Sequence, residues 1–209
     1  LRTKGQTPLY VACANGHVAV ATLLLDRGAV VDRANEGGMT PLFVACWNGH
    51  VDAARLVLEK GADVDRATNN GCTPLYIACE MGHVDVARLL LENGAEVDRA
   101  DQNGLTPLYI ACTNGQYDAA RLLLDKGAEV DRANQNDWTP LQSACCDGRV
   151  AVATLLLDKG AAVDRARGNG CTPLYIALNL GRHQDVASHQ AQFLISEIAH
   201  GGIQLGIAH

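Results

Sequence analysis

All six prolines of this 209-residue chain, Pro8, Pro41, Pro74, Pro107, Pro140 and Pro173, stand 33 residues apart, each preceded by Thr and followed by Leu. A fixed period of this length leaves few folds open, because each copy must be one small unit and the copies must pack on one another. Other letters keep the same beat. Gly16, Gly49, Gly82, Gly115, Gly148 and Gly181 form one row, and Gly28, Gly61, Gly94, Gly127 and Gly160 form a second. The segments LLLDRGA, LVLEKGA, LLLENGA and LLLDKGA recur ahead of five copies of VDRA. The nine residues NGCTPLYIA at 70–78 return unchanged at 169–177, three periods later.

One copy shows what the unit must be. Thr73 is placed to cap a helix with its hydroxyl, and Pro74 takes the first helical position, where a missing N–H costs nothing. The first helix is predicted to run to about Met81 and to be broken by Gly82. The second begins near Val84 with Asp85 close to its positive end, carries Val86, Ala87, Leu89, Leu90 and Leu91, and stops at Gly94. Asn70-Gly71 is a tight-turn signal just ahead of the next Thr-Pro. Helices of two or three turns do not persist alone in water, and 33 residues fall below the roughly 40 at which a lone chain usually folds unaided. Stacking is therefore obligatory, and the expected fold is all-α: a solenoid of helix-turn-helix units joined by turn or hairpin loops.

The period and the Thr-Pro-Leu signature together resemble the ankyrin repeat family, whose unit is a β-turn followed by two antiparallel helices. The resemblance covers about residues 2–182. It divides the chain into six repeats, at about 1–34, 35–67, 68–100, 101–133, 134–166 and 167–182 onward. Where the family usually has His after Thr-Pro-Leu, this chain has Tyr10, Phe43, Tyr76, Tyr109, Gln142 and Tyr175, a departure expected to tune packing. The pattern fails after Gly181. Over residues 183–209, Ala187, Ala191, Leu194, Ile195 and Ile198 fall on one helical face, so this segment is expected to be a divergent capping helix or a disordered tail.

Composition narrows the function. A formal charge of −6, with 23 acidic residues against 17 Lys and Arg, lacks the basic excess of a nucleic-acid binder. No apolar run approaches the roughly 20 residues that cross a bilayer, and LRTKGQTPLY contains no signal-peptide core. The chain is read as a soluble, cytoplasmic monomer that binds neither nucleic acid nor membrane. Its opening at Leu1 without Met leaves room for it to be a piece of a longer protein.

Residues that suggest chemistry mostly belong to the repeat. Cys13, Cys46, Cys79, Cys112 and Cys145 fill one slot of the first helix. Copies of a slot should lie roughly 8–10 Å apart, beyond the ~7 Å Cα limit of a disulfide and far from zinc geometry, so the row reads as a packed small hydrophobe. Cys72, Cys146 and Cys171 occupy turn or helix-end slots. His17, His50 and His83 share their slot with Gln116, Arg149 and Arg182, which argues for a polar group at the start of the second helix rather than a titrating catalyst. Asp32, Asp65, Asp98, Asp131 and Asp164, each beside Arg, read as a solvated, self-neutralising edge rather than a ladder for a partner. No nucleophile elbow or phosphate-binding glycine motif occurs, and Ser188, His189 and His200 are the only nonrepeating polar cluster. No catalytic residues, metal ligands or cofactors are assigned.

Slots that differ between copies are the candidate binding residues, since slots that must fit a neighbouring copy are forced toward sameness. The residue before Thr varies as Met39, Cys72, Leu105 and Trp138. The last positions of the first helix vary as Trp47, Glu80, Met81, Thr113, Asn114, Cys146 and Asp147. The turn tips vary as Glu36, Asn69, Asn70, Gln102, Asn103, Gln135 and Asn136. The family resemblance implies that these positions line a concave face that grips partners. Trp47 with Met39, and Trp138 with Gln142 and Cys146, are the expected anchors, the competing reading being that a tryptophan tucks against an adjacent turn. Repeat five departs furthest, with Asp137, Gln142 and Ser143, and is expected to be a specialised contact point or a weakened unit. The predicted function is a non-catalytic scaffold for a protein partner; the alternative is a targeting segment of a larger enzyme such as a kinase or ubiquitin ligase.

Overall fold

The structure, a computed structural model, describes residues 5–168, 170–173, 175 and 176. The cap or tail expected over 183–209, with its Ser188, His189 and His200, lies outside these residues. The chain divides into two compact units, Leu1–Gln102 and Asn103–His209. The first holds three helix pairs: α1 (Pro8–Ala14) with α2 (Val18–Asp26), α3 (Pro41–Trp47) with α4 (Val51–Glu59), and α5 (Pro74–Met81) with α6 (Val84–Glu92). The second holds α7 (Pro107–Asn114) with α8 (Tyr117–Asp125), and α9 (Pro140–Cys146) with α10 (Val150–Asp158). Strands are absent among the described residues.

Each first helix begins as the sequence predicts. The Thr40, Thr73 and Thr106 hydroxyls accept the N–H of Phe43, Tyr76 and Tyr109 at 3.1 Å, with Pro next in line. Thr172 repeats the contact with Tyr175 at 3.2 Å, so the helix start of a further repeat is in place. These threonines of repeats two to four are buried, and an unfilled hydroxyl there would cost a desolvation penalty; the cap removes it.

Within each unit the pairs stack like on like. First helices pack on first helices, α1 on α3, α3 on α5 and α7 on α9, while second helices pack α2 on α4, α4 on α6 and α8 on α10. The Leu of Thr-Pro-Leu supplies the centre of every layer: Leu9, Leu42, Leu75, Leu108 and Leu141 are fully buried. Each such burial stabilises by roughly 1.5–3 kcal/mol, which is more than a two-turn helix can supply for itself.

The connecting loops are hairpins that bond to one another. In repeat three the N–H of Thr68 donates to the Cys72 carbonyl at 3.0 Å, closing the hairpin. The next turn then docks edge to edge, with Gln102 N–H donating to the Asn70 carbonyl at 3.1 Å. This approach fixes Gly71, at φ +87°, since a Cβ there would lie 2.8 Å from the Gln102 nitrogen. Gly61 has the same φ of +87° but open space around it. Gly61→Ala should therefore cost about 1 kcal/mol of left-handed strain alone, whereas Gly71→Ala adds a backbone clash and should cost clearly more. Urea unfolding of the two variants measures the difference.

Candidate functional site

The variable slots lie at the turn tips and at the ends of the first helices in each unit. In the first unit the tips Glu36, Asn69, Asn70 and Gln102 are exposed, and Met39 and Cys72 are half-buried beneath them. Trp47 and Met81 stand exposed at the ends of the packed helices α3 and α5, with Glu80 half-buried beside Met81. Burial holds the Glu80 carboxyl above its usual range. In the second unit Asn103, Gln135 and Asn136 are exposed tips, Leu105 and Trp138 half-buried, and Thr113, Asn114, Cys146 and Asp147 close the helix ends.

The tips are stiffened by their own side chains. The Asn69 amide donates to the Glu36 carbonyl and the Gln102 amide to the Asn69 carbonyl, both at 2.8 Å, so each turn reaches back to the one before it. Asn35 accepts from the N–H groups of Gly37 and Met39, and Asn134 does the same for Asn136 and Trp138. Side chains on such a framework lose little freedom when a partner arrives.

The two tryptophans differ. Trp47 is 43% exposed. Its ring meets Phe43 edge to face, with centroids 6.1 Å apart, and its carbonyl is held by His83 Nε2 at 3.0 Å. Trp138 tucks against the following turn, with the Arg167 guanidinium 4.4 Å above its ring. Gln142, expected beside Trp138 as an anchor, is instead fully buried. Its side chain completes a reciprocal cap with Thr139 and donates to the carbonyls of Arg165 and Cys171. Ser143 likewise bonds Thr113 at 2.7 Å. The unusual letters of repeat five are thus mostly joinery, made possible because an amide can satisfy donors and acceptors that a phenol cannot reach. Asp137, at φ +59° in the turn-glycine slot, is paired with Arg165 at 3.7 Å.

Two rows have roles that their letters alone did not disclose. The histidine slot joins successive repeats: His50 Nε2 donates to the Ala14 carbonyl at 3.2 Å, and Arg149 Nε to the Thr113 carbonyl at 3.1 Å. Each therefore satisfies a carbonyl at the end of the preceding first helix, where helical partners run out. Three members of the aspartate row do more than form the solvated edge that the sequence suggests. Asp32, Asp65 and Asp131 accept the backbone N–H of Asp63, Glu96 and Ala162, each 31 residues on in the next repeat. The signal available for both was that a polar slot which never drifts in register has a partner that repeats too.

Burial of Asp65 pushes its carboxyl above the usual range, against the opposing effect of the Glu96 N–H. A carboxyl so raised binds its proton more readily folded than unfolded, so it adds stability as pH falls through its folded value and adds none at neutral pH. Asp65→Asn should remove that rise, seen as a steeper fall of unfolding free energy on the acid side when it is measured against pH.

The cysteines divide by environment, and all eight are free thiols. Burial raises Cys13 to about 11 and Cys145 to about 12, and raises Cys46 and Cys79 further. Cys72, Cys146 and Cys171 are half-buried. Titration of the native protein with a thiol reagent should modify no more than these last three quickly, the row reacting only after denaturant is added. Fast modification of the row would refute its role as packing.

Among the described residues, no three His, Cys, Asp or Glu side chains lie together as a metal site, and no helix is long and apolar enough to cross a membrane. The family model described as "Ankyrin repeats (3 copies)" matches residues 1–68, 64–134 and 131–189. No curated protein matches the chain.

Proposed function

The chain belongs to the ankyrin-repeat family, whose repeats are generally protein–protein interaction modules, and from that premise we propose that it is a non-catalytic scaffold gripping a protein partner on the variable strip. The observation that carries this reading is Trp47: a large aromatic left 43% exposed on a helix whose other residues from Pro41 to Cys46 are buried. Burial of such a ring in a partner removes more apolar surface than any other exposed side chain on the strip provides. Met81 on the neighbouring helix end adds apolar surface, and the hydrogen-bonded tips Glu36, Asn69, Asn70 and Gln102 supply exposed polar groups.

The partner would insert apolar side chains at Trp47 and Met81 and bond the polar rim, a division of labour common to tight interfaces. In the second unit the strip is more polar, and Trp138 contributes as a ring already braced by Arg167. The net charge of −6 favours a protein partner over nucleic acid.

Affinity capture with the intact chain, compared with Trp47→Ala and a Trp47→Ala, Trp138→Ala double variant, tests this. Trp47→Ala should weaken the captured partner by about 2 kcal/mol, roughly 30-fold in Kd, with an unchanged melt. A variant that melts early, or that binds as well as the intact chain, counts against the strip.

A further inference from the structure

The nonapeptide VAVATLLLD occurs twice, as α2 at 18–26 and as α10 at 150–158. The same letters meet different surroundings. In α10, Val152 is 1% and Leu155 7% exposed, because α8 of the preceding repeat lies across them. In α2, the equivalent Val20 is 49% and Leu23 54% exposed. The first helix repeats the contrast, with Val11 exposed where Val44 and Ile77 are buried. Sequence cannot explain the difference; only the covering layer can. A repeat evolved to end an array carries a polar outer side, and this one carries the interior pattern.

The same face also holds one half of three kinds of joint found between described repeats. His50, His83 and Arg149 bond a carbonyl of the preceding repeat, whereas the His17 ring, in the same slot, has no hydrogen-bond partner among the described residues. Lys60 and Lys159 pair with Asp26 and Asp125 one repeat earlier, and Arg27 holds that slot without an ion-pair partner among the described residues. The N–H groups of Asp63, Glu96 and Ala162 are received by an Asp of the preceding repeat. Val30 stands at that position, its N–H without a partner among the described residues and its side chain 63% exposed.

We propose that the outer face of repeat one is an interior joint, and that a further helix pair of the same 33-residue type, lying ahead of residue 1 in the same chain, seats on it. Three polar half-joints and four apolar side chains then ask for one occupant: helices covering Val11, Val20, Leu23 and Val30, with a helix-end carbonyl for His17, a carboxylate for Arg27 and an aspartate for the Val30 N–H. A second copy meeting this face with its own would set donors against donors, since His17, Arg27 and the Val30 N–H all donate.

Reading the transcript upstream of the Leu1 codon tests the placement. Expected are an in-frame Thr-Pro-Leu 33 positions before Thr7-Pro8-Leu9 and an Asp two positions before Leu1, one period ahead of Asp32. An upstream sequence without this pattern, or an initiator codon there, overturns the proposal. Denaturant unfolding of the longer chain and of residues 1–209, each with and without Leu23→Ala, tests the packing. The substitution should leave the midpoint of the shorter chain unchanged and lower that of the longer one; equal shifts in both defeat the idea. Sedimentation of residues 1–209 that reveals a dimer abolished by Leu23→Asp would assign the face to a second copy and overturn it too.

Discussion

Everything in this molecule rests on the burial of one helix pair against the next. A seven-residue helix such as α3 makes too few internal hydrogen bonds to repay the ordering of its backbone. It exists because Leu42, Ala45 and Cys46 are sealed by the layers on either side. The threonine caps, the proline starts and the glycine turns fix where each helix begins and ends, but they are worth about 1 kcal/mol apiece, and the packed leucines are worth more. Local signals set the frame, and contact between neighbours makes it stable.

Helix boundaries, caps and the buried cysteine row were legible because each depends on chemistry within one period. Thr73, Pro74, Gly82 and Gly94 do in space what their types require in sequence. The joints between periods were harder to read. Nothing local to Asp65 distinguishes a solvated carboxylate from one that receives the Glu96 N–H, and nothing in His83 points to the carbonyl of Trp47. Gln142 was misplaced for a related reason: a polar residue that breaks a row of aromatics looks like surface, and only the positions of Arg165 and Cys171 show that its amide has carbonyls to satisfy inside.

The candidate strip follows from this division. The shared Leu, Ala and Cys slots of the first helices are interior because their neighbours are copies, and the candidate slots are left half-buried or exposed on the turn tips and helix ends. Exposure alone does not make an anchor, as Trp138 under Arg167 illustrates. What distinguishes Trp47 is an open ring on a fixed backbone, supported from below by Phe43.

The side-chain joints have a constant stride. The aspartate contacts span 31 residues, the histidine and arginine contacts 36, and the lysine contacts 34, in each unit alike. Three different strides can stay in register together only if the spacing between successive copies never changes. Loss or gain of one whole copy leaves every surviving joint with a partner of the right kind. A one-residue insertion between two copies dislocates all three at once. Such a chain can lengthen or shorten by gene duplication and unequal exchange far more readily than it can tolerate the smallest slip within a loop.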